Sequence, residues 1–307
     1  MSLLVFFGVY AIGDPMAVLI HPQADQIEIQ EATKRLGLDR PIWEQYLIYM
    51  GNIFKGDFGN SFVYNEPSLK VILQRLPATF ELVVCSFVIA IFVGIPLGLI
   101  AGFSPAEWTS RIIMGGSILG FSLPSFWVGL MLIMLFAVQL GWLPSGGQGP
   151  TTEVFGMGLS LINVEGIKHL ILPAINLGLV LLSTVIRLTY SGVREIILSD
   201  FVKFAYAKGL SSRRIVFIHV LKNVLVPVVT ILGLEFGNLI AFSVVTESVF
   251  AWPGIGKILI DSIENLDRPV IVAYLLIVAV MFTVANMIVD ILYSILDPRV
   301  TVTEMGN

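Results

Sequence analysis

Few side chains in this sequence could make or break bonds, and their spacing argues against it. The three histidines, His21, His169 and His219, lie far apart, and none has a second histidine or cysteine three or four positions on, so no metal-binding helix face is written. Cys85 is the single cysteine and sits inside an apolar run, which makes it a packing residue and excludes an intramolecular disulfide or a thiolate cluster. Gly254-Ile255-Gly256-Lys257 has the look of a phosphate-binding turn. That motif needs a glycine five residues before Gly256 and a serine or threonine after the lysine, and Ala251 and Ile258 stand there instead. No serine, histidine and acid are arranged for nucleophilic attack. The chain is expected to be no enzyme, with no metal and no cofactor of its own.

Two other kinds of chemistry remain. One is a carboxylate in an apolar place: Glu235 lies about eleven residues into a long hydrophobic run, where a charge costs roughly 2.5–3.5 kcal/mol on insertion scales. It must face protein or water. Gly233 and Gly237 flank it and permit close helix approach, and Asn238 follows at i+3 on a similar face. Glu235 therefore either lines a polar path or is a buried, hydrogen-bonded structural acid. Asp290, near the end of the last run, reads as a structural partner. The other is the polar interval Ser199–Asn223, wedged between two apolar runs. Arg187, Arg194, Lys203, Lys208, Arg213, Arg214 and Lys222 lie in or beside it, against only Glu195 and Asp200. Asp200 can cap a short helix whose Phe201, Phe204, Ala205 and Lys208 fall at helical spacing. Gly209 ends that helix in the left-handed conformation, and Ser211 or Ser212 caps the next. The apolar face of Phe201, Phe204 and Ala205 calls for a partner, because exposed aromatic residues beside a basic cluster are a costly surface.

The elements that must position these residues follow from composition. Of 307 residues, 56% are hydrophobic and only 13% charged, with a net charge of -4 and a mean hydropathy of +0.89. A soluble domain cannot cover that much apolar surface, so the expected class is an all-α polytopic membrane protein. No nucleic-acid footprint appears. The opening run, Ser2–Ile12, rises only about 16 Å as a helix against a bilayer core of about 30 Å. It is too short to span: either a half-inserted interfacial segment or, as the family likeness given below implies, part of a first transmembrane helix (1–12) whose beginning is missing. Residues 13–77 are polar and mixed in charge, with Glu28, Glu31, Lys34 and Arg35 at helical spacing; with Trp43, Tyr46, Tyr49 and Phe54 they form a small extracytoplasmic subdomain. The membrane core, 78–307, carries spans at Ala78–Gly102, Ile112–Leu140, His169–Thr189, Val224–Phe250 and Pro269–Leu296, about six with the first. The second is interrupted at Ser122-Leu123-Pro124-Ser125, where proline frees a carbonyl and kinks the helix. Short outer loops hold Lys168, Lys257 and Arg268, whereas the inner side holds nine basic residues with Arg111 and Arg299, so the loop at 191–223 faces the cytoplasm.

Ala207-Lys208-Gly209-Leu210, followed by His219, Leu221, Asn223 and Pro227, resembles the cytoplasmic signature loop of importer permeases in ATP-binding-cassette systems. The form is that of the dipeptide, oligopeptide and nickel branch. Lys203, Phe204 and Ala205 stand where the wider family prefers Glu-Ala-Ala, and Lys203-Phe204-Ala205-Tyr206 where the branch usually has an arginine-rich run. Gly13-Asp14-Pro15, the insertion motifs Leu36–Pro41, Gln45-Tyr46-Leu47 and Gly56–Ser61, the Ser122-to-Phe126 break, and Glu247-to-Gly256 resemble the same branch, so the likeness covers nearly the whole chain. It implies a type I importer permease fold in a bacterial inner membrane. It also implies a second homologous permease, two cytoplasmic ATP-binding subunits that hold ATP and Mg2+, an extracytoplasmic substrate-binding protein, and surrounding membrane lipid. On this likeness Asp200, Phe201, Lys203, Phe204, Ala205, Tyr206, Ala207, Lys208, Gly209, Arg213 and Arg214 couple to an ATPase, and Ser122, Pro124, Glu235, Asn238 and Glu247 belong to the path. Substrates implied by the branch are peptides, with nickel complexes, glutathione or sugars as alternatives. A secondary transporter would show inverted repeats and paired broken helices, which are not seen.

Overall fold

The computed structural model describes residues 3, 6–8, 30, 33–34, 39–154 and 156–296. Most of the opening run, Gly13-Asp14-Pro15, Glu28, Glu31, Arg35–Leu38 and Arg299 lie outside them, as does the Asp290 side chain. The apolar runs become helices because, in hydrocarbon, only a helix satisfies every backbone group within its own segment. The elements are α1 (Ile42–Ile53), α2 (Ser68–Phe103), α3 (Glu107–Ser122), α4 (Ser125–Leu132), β1 (Thr152–Val154), β2 (Met157–Leu159), α5 (Val164–Ile196), α6 (Asp200–Ala207), α7 (Ser212–Arg214), α8 (Leu221–Val249), α9 (Ile255–Glu264) and α10 (Arg268–Leu296). Wide π turns continue α4 through Ile133–Gln139 and join α7 to α8 through Ile215–Val220.

Among the described residues, four helices are long and apolar enough to cross a membrane, and the bent α3–α4 pair makes a fifth span. α2 starts at Ser68, not Ala78, and carries Pro77 inside it; its 36 residues rise about 54 Å, so it stands well clear of the bilayer. The kink expected at Ser122–Ser125 is a complete break: α3 and α4 meet at 109°. Pro124 has no N–H and forces the preceding residue out of the helical region, and Leu123 is extended at φ -85, ψ 139. The loop after α4 also adds the β1–β2 hairpin, paired Thr152 with Leu159, to the helices of the described residues.

The centre of the fold is the α2–α5 pair. Ser86, Ala90, Gly94, Gly98 and Gly102 recur every four residues on α2 and are all buried. Side chains of α5 fill the space they leave. A Cβ on Gly94 would lie 2.8 Å from Val185 Cγ1, one on Gly98 2.5 Å from Thr189 Cβ, and one on Gly102 2.6 Å from Val193 Cβ. Helices in lipid associate through such small-residue stripes, because close backbone approach replaces the missing hydrophobic drive. Gly233 and Gly237 do the same for α8 against Val289 and Phe282 of α10, as their spacing implies. α8 packs along α5, and Gly192 lies against Val224 while Asn176 Nδ2 donates to Thr246 Oγ1 at 2.9 Å.

Candidate functional site

At the end of the bundle where α5 and α8 meet, α6 lies as a separate short helix. Ser199, not Asp200, is its N-cap residue, with extended backbone (φ -68, ψ 151), and Asp200 sits in the first turn paired with Lys203 at 3.0 Å. An acid there still complements the helix dipole. Gly209 (φ +70) closes the helix as expected: its N–H donates to Tyr206 O at 2.9 Å, and Leu210 N–H to Ala205 O at 3.3 Å. That pair of bonds is a Schellman closure, which requires the left-handed residue. Ser211 then takes the N-cap position of α7.

The two faces of α6 are the informative part. Val202 and Ala205 are buried and join Val193, Ile215, Val220 and Val224 in the main core, so this short helix is seated on its own chain. Phe201, Phe204 and Tyr206 point away and are 47%, 61% and 50% exposed. Ala205 therefore does not share the outward face with Phe201 and Phe204, and this corrects the sequence expectation. Lys208 Nζ lies 4.6 Å from the Phe204 ring centroid, and Lys203, Ala207, Arg213 and Arg214 are exposed around the aromatic pair. The result is a firmly held, aromatic, basic knob with nothing against it.

Glu235 is the midpoint of α8 and is half-buried; it accepts from Asn238 Nδ2 at 3.2 Å. The structure thus brings these two expected path residues together. Ser122 and Pro124 stand exposed at the break between α3 and α4, where Ser122 Oγ donates back to Ile118 O at 2.8 Å. Glu247 is different in kind. It is fully buried at the opposite end from α6, and its carboxylate accepts from Thr79 Oγ1 (2.7 Å), Ser243 Oγ (2.9 Å), Gly256 N–H (2.7 Å) and Lys257 N–H (3.0 Å). A Cβ on Gly254 would collide with that carboxylate and with the Thr79 hydroxyl. The surroundings of Glu247 are those of a structural acid that pins the turn between α8 and α9 onto α2. Trp252 Nε1 donates to Ala78 O at 2.8 Å and completes the junction.

Two further buried acids at the same end were not singled out by their spacing. Glu81 of α2 accepts from Leu161 N–H at 2.7 Å and Gln148 Nε2 at 3.2 Å, holding the long outer loop. Asp267, just before α10, accepts from Ser61 Oγ at 2.5 Å and Phe62 N–H at 3.0 Å, holding the segment before α2. Glu81 carried the same signal as Glu235, an acid inside an apolar run. Asp267 carried none, because its partners are more than two hundred residues away.

A bundle of apolar helices, one broken span and a seated short helix with an exposed aromatic, basic face at one end make this an integral membrane protein. Residues 94–302 match the family described as binding-protein-dependent transport system inner membrane component, and residues 1–83 match its N-terminal membrane component. The chain belongs to this family and is an inner-membrane permease of a binding-protein-dependent importer. It is 40% identical to the di/tripeptide transport system permease protein DppB of Pseudomonas aeruginosa (strain UCBPP-PA14), over 96% of this chain and 94% of that one. It is 39% identical to the oligopeptide transport system permease protein AppB of Bacillus subtilis (strain 168), covering 94% and 90%. The glutathione transport system permease protein GsiC of Escherichia coli (strain K12) is 36% identical, covering 97% and 93%. A crystal structure of an amino acid ABC transporter shares the fold with a TM-score of 0.54 at 14% identity, over 73% of this chain and 93% of that one. An inward-facing structure of the MetNI methionine ABC transporter does so with a TM-score of 0.50 at 18% identity, over 72% and 94%.

Proposed function

We propose that this permease forms half of the pathway of an ATP-driven importer of short peptides, together with a second homologous permease. In this reading two cytoplasmic subunits bind and hydrolyse ATP with Mg2+, and an extracytoplasmic binding protein delivers the peptide. The observation that carries the reading is α6: its inner face is fixed by Val202 and Ala205, while Phe201, Phe204 and Tyr206 are left for a groove on another subunit. Because α6 is seated where α5 and α8 meet, motion of that groove moves both long helices as rigid bodies and changes which side of the bundle is open. The basic residues Lys203, Lys208, Arg213 and Arg214 ring the contact and suit an acidic rim. Ser122, Pro124, Glu235 and Asn238 are the proposed path positions, and Glu247 holds the outer end together.

Peptide substrates are supported by the three relatives above, whose names give di/tripeptides, oligopeptides and glutathione, all peptidic molecules. The test is co-expression of the chain with its partner subunits and reconstitution into proteoliposomes. ATP-binding subunits should co-purify, and ATP in their compartment should drive uptake of a labelled dipeptide presented by the binding protein. Uptake that persists without ATP but follows an ion gradient would overturn the reading.

A further inference from the structure

At the end of the bundle opposite α6, a cleft of about 630 Å³ opens between the start of α2 and the loop that carries the β1–β2 hairpin. α2 lines it with Lys70, Gln74 and Arg75, the loop with Gln148 and Thr151, and Leu73 and Met157 add apolar surface. No Asp or Glu is among the described residues that line it. Lys70 is paired with Glu66 at 3.1 Å, but the two side chains are 55% and 42% exposed. Such a pair contributes only about 0–1 kcal/mol, so Lys70 can leave it for another carboxylate. Arg75 is exposed, and no acceptor reaches its guanidinium among the described residues. Gln148 Nε2 donates to Glu81 at 3.2 Å and to Gly158 O at 3.3 Å, which leaves Gln148 Oε1 as an acceptor. Counting about 20 residues back from Phe103 along α2 crosses the hydrocarbon near Val83. Residues 70–75 stand roughly 12–20 Å beyond that point, past a headgroup layer of about 5–8 Å. The cleft therefore opens to water and not to lipid.

We infer that this cleft is an entry subsite for short peptides, with the Lys70 and Arg75 cations drawing the terminal carboxylate and Gln148 Oε1 accepting a peptide N–H. A cleft lined by one sign of charge raises the local concentration of the opposite sign, and every peptide with a free end carries that charge. Leu73 and Met157 give apolar surface to side chains of varied shape, and the Thr151 hydroxyl adds a polar group to the same wall as Gln148. The volume lies within the roughly 300–1,000 Å³ of small-ligand sites. A docked protein needs about 800 Å² of surface on each side, more than one such cleft offers, so the occupant is the free peptide and not a loop of the binding protein. The inference rests on the peptide reading and names the place where the peptide first meets this chain.

The test uses the complete transporter in lipid nanodiscs, carrying Gln74→Cys in a Cys85→Ser background, with labelling of position 74 by a water-soluble thiol reagent followed by mass spectrometry. Without the binding protein, dialanine should slow labelling about tenfold once it reaches roughly ten times its Kd, since only the empty fraction reacts. Dialanine amide, which lacks the carboxylate, should not slow it. Adding K70Q and R75Q should abolish the protection by dialanine while leaving the rate without peptide at the parent value. Equal protection by dialanine and its amide, or protection by neither, overturns the subsite; the peptide reading still stands if wild-type proteoliposomes import dialanine with ATP. Protection by the unloaded binding protein and not by dialanine also overturns it, because the cleft would then be a protein-docking surface. A wild-type transporter that imports no dipeptide overturns the peptide reading itself, and the subsite with it.

Discussion

Glu247 and Glu235 sit on the same helix, twelve residues apart, and differ in everything that decides what a carboxylate does. Glu247 has four donors and no solvent; Glu235 has one donor and a half-open face. Removing the first leaves the Gly256 and Lys257 N–H groups and the Thr79 hydroxyl without their acceptor, each costing about 1–3 kcal/mol, while the Ser243 hydroxyl keeps Ile240 O. Glu247→Ala should therefore lower stability by roughly 3 kcal/mol or more, seen as a drop of several degrees in the unfolding midpoint of the purified transporter. Glu247→Gln should cost less, because its amide oxygen can keep the Gly256 and Lys257 N–H groups while its NH2 turns to the Thr79 and Ser243 hydroxyls, which then accept. Glu235→Gln should leave the midpoint nearly unchanged. If Glu247→Ala unfolds at the wild-type temperature, the buried network is not what holds this junction. Glu235 was legible in the sequence because an isolated acid in an apolar run has few explanations. The role of Glu247 was not, since its donors come from Thr79 and from a turn whose path over α2 only the folded chain reveals.

At the scale of elements, the same contrast appears between a turn and a face. The helix-turn-helix around Gly209 could be read directly, because a left-handed closing residue with serine shortly after leaves little choice. Which side of α6 looks outward could not. In eight residues, Phe201, Phe204 and Ala205 make one apolar stripe and Val202 and Ala205 another, and only the fit of Val202 and Ala205 into the core decides between them. Phe204→Glu is thus the clean test of docking: insertion and unfolding should be normal, while ATP hydrolysis stimulated by the loaded binding protein should fall at least tenfold and the ATP-binding subunits should be lost on purification. Ala205→Glu should instead lower stability too, since it buries a charge with no partner. Gly209→Val should strain the turn and act like Phe204→Glu, because nothing lies near its Cβ position to clash. The α2 stripe makes a stronger demand. Gly98→Leu must displace Thr189 and the Ile186 carbonyl region, so it should abolish stable accumulation of the protein, whereas Gly115→Leu, with open space around it, should accumulate normally. Equal accumulation of the two would mean that α2 and α5 do not meet as described. The four-residue recurrence from Ser86 to Gly102 was present in the sequence, but small residues in a lipid-facing run look the same until a partner helix is placed against them.

Across the whole molecule, the buried acids and the basic knob occupy opposite ends, and α5 and α8 run unbroken between them. Glu81, Glu247 and Asp267 tie loops together at one end; α6 and its cations project at the other. On the proposed reading this polarity lets a movement at α6 reach the other end without being absorbed by loops. By the positive-inside rule Lys203, Lys208, Arg213 and Arg214 predict a cytoplasmic α6 end, while the long segment before α2 is exempt from that count by its length. Single cysteines introduced in a Cys85→Ser background at Asn60, Gly147 and Arg213, all of which are exposed or half-exposed, should therefore divide cleanly. In intact cells a membrane-impermeant thiol reagent should label the first two and spare the third; after the membrane is opened it should label all three. Labelling of the Arg213 site in intact cells, with Asn60 and Gly147 protected, would invert the molecule and place α6 out of reach of any cytoplasmic ATPase, and the coupling role argued for Phe201 and Phe204 would fall with it.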